Sequence, residues 1–140
     1  MSVRNQNLET IAAVYATFGI HQTGGLDDLA DADIGSAVKL TGNFEVGPAD
    51  DNSTVLGKIV ALTLTDADVG KRNATVQIGG VVSLPITTTY PAVGDRVVGG
   101  TGGTVKKAPA LGGSDPAGGN IARGTVLAVS GTASCTIFLP

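Results

Sequence analysis

The stretch Gly57-Lys-Ile-Val-Ala-Leu returns later in the chain as Gly124-Thr-Val-Leu-Ala-Val. Each copy is followed by a second apolar run, Ala74-Thr-Val-Gln-Ile behind the first and Cys135-Thr-Ile-Phe-Leu behind the second. The shared unit is strand, polar turn, strand. Two copies are too few for a solenoid. They fit instead as two related hairpins of one small β-barrel or sandwich. The two leading strands are expected to frame the core, with Ile59, Ala61, Val126 and Ala128 on comparable faces.

The composition agrees with an all-β chain. Of 140 residues 21 are Gly and only 15% are charged, which is rich in turns and poor in the residues of helical proteins. With no Trp, three Phe and two Tyr, the apolar content is mostly Val, Ile, Leu and Ala, which suits pleated packing. The net charge of -3 and the scattered basic residues argue against a nucleic-acid partner. The longest mainly apolar stretch, Ile11 to Ile20, is too short to span a bilayer and lacks a cleavage-site context, so neither a membrane partner nor a signal peptide is expected. The single cysteine, Cys135, alternates with Ile137 and Leu139 and reads as a small core residue.

Along the chain, residues 1–34 read as an N-terminal arm and 35–140 as the β domain. In the arm Leu8, Ile11, Tyr15 and Phe18 share one helical face, with Asn7 as a cap, so a short helix fits; the β-branched content and Gly19 equally fit an extended arm. The domain should hold about eight or nine short strands. Gly42-Asn43 marks a tight hairpin turn. Gly79-Gly80 marks a bulge or corner, and Pro85 confines its strand to an edge or an end. Residues 92–107 form another hairpin, with Gly99 to Gly103 as a mobile tip.

Reactive chemistry finds little support. His21 is the only histidine, and a His21–Cys135 dyad would join a loop residue to an apolar strand. One His and one Cys cannot supply a zinc set, so no metal and no cofactor are expected. The acidic run from Asp27 to Asp33 and the pair Asp66, Asp68 do not fit a calcium loop: counting from Asp31 or Asp66, the twelfth residue is Gly42 or Gln77 rather than Glu. They read as turns with Asp caps. Gly99-Gly-Thr-Gly-Gly103 lacks the Lys that a phosphate loop places after its last Gly, and a dinucleotide pattern would need Gly where Val105 stands. No catalytic residue is assigned.

Taken together, the repeated strand units, Val93-Gly-Asp-Arg-Val97, the Gly-rich loops and the closing Gly124-Thr-Val-Leu-Ala-Val129 resemble the small capsid cement, or decoration, proteins of tailed bacteriophages. The resemblance covers roughly Gly35 to Pro140. It implies a non-enzymatic β domain that oligomerises, commonly as a trimer. Such a domain docks on the outer surface of a matured icosahedral shell in the virion and clamps adjacent copies of the major capsid protein. The protein would be made in the host cytoplasm. Leu8, Ile11, Val14, Tyr15, Phe18 and Ile20 are then the expected capsid or inter-subunit contacts, since an apolar arm adds buried area on binding.

Two other classes remain open. A phage tail or fibre adhesin, or a lectin-like module, would use the same kind of scaffold. A lipoyl- or biotinyl-like carrier domain also contains a Val-Gly-Asp-basic-Val strand but presents a modified Lys at a hairpin tip. Lys58, Lys71, Lys106 and Lys107 lack that setting.

Overall fold

A computed structural model describes residues 12–63, 72–110 and 121–140. The repeat is a structural one. Its first copy is the antiparallel pair β6 (Gly57–Leu62) and β7 (Asn73–Pro85), and its second is β10 (Thr125–Ser130) and β11 (Ser134–Leu139). The correspondence extends to the irregularities. In the first hairpin Ile59 faces Val76, the register slips, and Ala61 faces Thr75; in the second Val126 faces Ile137, the register slips, and Ala128 faces Thr136. Val60 and Leu127 are thus the same extra residue in each copy.

This bulge corrects one expectation. Ile59 and Val126 are buried, but an extra residue reverses the alternation, so Ala61 and Ala128 lie on the exposed side instead of the core. Leu62 and Val129 take up inward packing in their place, each against a core cluster.

The repeat glycines also have a physical reason. A Cβ at Gly57 would stand 2.0 Å from the Gln77 carbonyl oxygen, and one at Gly124 would stand 3.0 Å from the Phe138 carbonyl oxygen. Each glycine lets its strand approach the second strand of its own hairpin at the same place.

The remaining strands close a barrel around the first hairpin. β1 (Val14–Ile20), β4 (Ala37–Gly42) and β5 (Glu45–Pro48) complete the order β1-β5-β4-β6-β7, and β1 also pairs with β7, which returns the sheet on itself. β11 and then β10 extend the sheet beyond β7. Four more strands form two small ribbons: β2 (Gln22–Thr23) with β3 (Leu26–Asp27), and β8 (Val97–Gly100) with β9 (Thr104–Lys107). The only other element among the described residues is a 3-10 turn, Asp31–Asp33. The fold is all-β, a small barrel with added strands.

β7 holds the two halves together. From Asn73 to Gly79 it pairs with β1 and β6, and from Gly80 to Pro85 it pairs with β11. The change of partner falls at Gly79-Gly80, where Gly80 has φ +94°. Pro85 is the last residue of the strand. Along β7 the even-numbered Ala74 and Val76 enter a core cluster with Phe18, Ile20, Leu29, Val38, Val46 and Ile59. Val82 and Leu84 enter a second cluster with Val55, Val97, Val105, Val126, Cys135 and Ile137. Each copy of the hairpin therefore heads its own core.

Two turns differ from expectation. The first hairpin turn lies at Asn43-Phe44, one residue later than the sequence suggests, because Gly42 still pairs with Glu45. Phe44 takes φ +49° and is exposed. The run Gly99 to Gly103 is not a free tip. Gly99 and Gly100 are buried strand residues, and a Cβ at Gly99 would stand 2.1 Å from Ser53 Oγ. Gly103 N–H donates to Ala49 O, and Ala37 N–H donates to Gly103 O. The glycines allow β8 to pack directly on the loop around Asp50 to Ser53.

Candidate contact surface

The arm residues divide sharply. Of the two conformations the sequence leaves open, the chain from Val14 to Ile20 takes the extended one, pairing with β7 from Val14↔Gly79 to Gly19↔Asn73. Inward positions Phe18 and Ile20 are each only 7% exposed and belong to the barrel core, which removes them from the candidate contacts. Val14 and Tyr15 are 53% and 49% exposed. Leu8 and Ile11 lie outside the described residues.

Val14 stands on the rim of a groove of about 370 Å³ lined by Ala12, Ile78, Gly79, Gly80, Phe138 and Leu139, among others. The groove exists because β7 changes partners here. Its two glycines leave the floor without side chains, and Val14 lies within 3.6 Å of where a Gly79 Cβ would be. Phe138, 40% exposed, lies opposite Val81 on the neighbouring strand. Exposed aromatic and branched side chains around a shallow apolar floor form a surface that gains by being covered.

Two polar side chains fix the floor. Gln77, almost fully buried, donates from Nε2 to Gly79 O at 3.1 Å and to Val81 O at 3.2 Å, bracketing the bend. Arg123 donates to the carbonyls of Val55 and Leu56 before β6, to Ile78 O at 2.5 Å and to Pro140 O at 3.3 Å. Burial lowers its pKa. The guanidinium thus serves as a tie between three main-chain segments through four carbonyls, and its hydrogen-bonding capacity is turned inward.

A second groove, about 460 Å³, is lined by His21, Asp28, Lys39, Thr41 and Asp50. His21 Nδ1 and Asp28 Oδ2 are 2.6 Å apart, and this hydrogen bond, with another from Thr23, lowers the Asp28 pKa. Lys39 pairs with Asp50 at 2.6 Å. These contacts tie the β2–β3 ribbon and the loop after β5 in place.

The residues considered for chemistry are used structurally. Cys135 is buried in the second core cluster, and burial pushes its thiol up to about 11, so it is protonated near neutral pH. His21 is engaged with Asp28, on the polar groove. In the acidic run, Asp33 accepts the Ala30 N–H at 2.8 Å, the capping role expected of it, whereas Asp31 forms an ion pair with the distant Arg72 at 2.5 Å. Among the described residues no group of three His, Cys, Asp or Glu could hold a metal ion. Lys106 is engaged with Asp51 at 2.6 Å, and the β8–β9 tip, Thr101 to Gly103, carries no lysine.

Sequence reasoning overlooked Phe138 and the glycine floor. The signal was present: if Cys135, Ile137 and Leu139 point inward, the residue between the last two points outward. Comparison of the chain with protein-family models, with curated proteins and with solved structures finds no match in any of the three.

Proposed function

We propose that this protein is a structural component of a phage virion. It docks on the outer surface of the icosahedral shell, joins adjacent copies of the major capsid protein, and acts as a homo-oligomer, a trimer in the form the resemblance implies. The observation that carries this reading is the apolar groove at Gly79-Gly80, lined by exposed Val14 and Phe138, on a closed barrel, with exposed Tyr15 next to Val14 along β1. A rigid scaffold loses little entropy when a partner covers such a surface. Repetition on a symmetric lattice then turns a modest contact into firm attachment through avidity.

The capsid contact is therefore assigned to Val14, Tyr15 and Phe138. Val14→Asp places a charge on the groove rim without entering either core. It should lower occupancy on emptied, expanded capsids by about tenfold or more while the melting temperature stays near that of the wild type. Wild-type occupancy by a folded Val14→Asp variant would count against the groove as the docking site.

A further inference from the structure

Barrel closure satisfies both sides of the strands it includes, and it leaves β10 as the outermost strand of the seven-stranded sheet. The start of β10 is covered: Gly94 N–H donates to Val126 O and Val126 N–H donates to Asp95 O, both at 2.9 Å. From Leu127 to Ser130 no strand among the described residues lies on the outer side. Such an edge is a template for further pairing, and proteins that stay monomeric usually blunt it with Lys, Pro, an inward charge or a β-bulge. β10, Thr125-Val-Leu-Ala-Val-Ser130, has no Lys, Pro or charge, and its bulge at Leu127 leaves that apolar side chain 41% exposed.

The lack of charge extends beyond the edge. Residues 73–94 and 124–140 contain no Asp, Glu, Lys or Arg, so β7, β10 and β11 are wholly uncharged in a chain that is 15% charged. Leu127, the bulge residue of the second hairpin, is 41% exposed on this side of the molecule.

We infer that the β10 edge, with the uncharged surface of β10 and β11 beside it, is where one copy of this protein meets a second copy. Charge decides the occupant. Each copy carries a net charge of -3, so two copies repel in most orientations, and repulsion is least where neither brings a charge to the contact. A strongly charged partner would find nothing to pair with there. The strand supplies main-chain groups for an added neighbour, and Leu127 supplies an apolar anchor. The inference takes from the proposed function only that copies associate, and it does not require the capsid.

Sedimentation velocity on the full chain over a range of concentrations, at low and high salt, tests it. The wild type should self-associate with an affinity that salt barely changes, because no ion pair forms at the contact. Leu127→Lys should weaken association by about tenfold or more, with an unchanged circular-dichroism spectrum. Because the new lysine reduces the magnitude of the net charge, that loss would not come from added overall repulsion. A monomeric wild type, association that dissolves in salt, or a Leu127→Lys variant that associates like the wild type would overturn the inference. Should that variant unfold, Leu127→Thr keeps the strand propensity and should still weaken association; undiminished association would again overturn the inference. A capsid-binding arm separates the two readings. Wild-type protein that self-associates through β10 yet never binds capsids contradicts the proposed function alone. A wild type that binds capsids as a monomer contradicts this inference and the homo-oligomer of the proposed function, and leaves the capsid docking standing.

Discussion

Gly57 shows how a single residue can decide whether two strands meet. Its missing side chain is the space that the Gln77 carbonyl occupies, so Gly57→Ala forces the backbone of β6 away from β7. Such overpacking costs about 1–3 kcal/mol, and thermal denaturation should show a matching fall in melting temperature; an unchanged midpoint would mean the two strands do not approach as described. At the other hairpin, Cys135 sits in the core with its thiol held protonated by burial. A thiol reagent should leave it unlabelled in the native protein and label one site per chain after unfolding. Rapid labelling of folded protein would place Cys135 elsewhere. Because burial raises this pKa, the sign of the linkage is that the contribution is complete below the unfolded thiol value, near 8.5, and is lost as pH rises toward 11. For Asp28, whose pKa is lowered, the contribution is present above about 3.9 and is lost as acid is added beyond that point.

At the level of elements, the repeat was legible and its phase was not. Period-2 alternation and a leading glycine identify both hairpins, and the pairing of Ala74–Gln77 with the first copy and Cys135–Phe138 with the second follows the sequence match. The bulges at Val60 and Leu127 escape notice because one extra residue is defined only by what lies across from it. β1 was ambiguous for a different reason. Leu8, Ile11, Tyr15 and Phe18 fit a helical period, while Ala16, Phe18 and Ile20 fit a strand, and the choice is made by β7 alongside. Gly99 to Gly103 reads as a free tip until the distant loop at Asp50 to Ser53 is brought against it. The groove at Gly79-Gly80 likewise needs three elements, of which the sequence shows only the glycine pair. Since β1 closes the barrel and contributes Phe18 and Ile20 to the core, deleting residues 1–20 should abolish the cooperative thermal transition rather than release an intact domain. A truncated protein that melts like the wild type would show that β1 is dispensable.

The whole molecule divides its labour between interior and surface. Two cores, each headed by one hairpin and joined along β7, make a framework whose polar ties, Gln77 and Arg123, are turned inward on main-chain carbonyls. The same strand that joins the cores opens the groove beside Val14 and Phe138, so the proposed docking site is a consequence of how the duplicated hairpins are connected. Outward-facing charge is concentrated away from β7, β10 and β11, which leaves that side suited to contacts with protein surfaces. The most direct test is co-sedimentation of the purified full chain with emptied, expanded capsids built from the cognate major capsid protein, read as bound copies against added protein. The expected result is saturation at a fixed ratio set by the shell's symmetry, together with capsids that withstand more heat. A folded protein that stays in the supernatant at every concentration would contradict it.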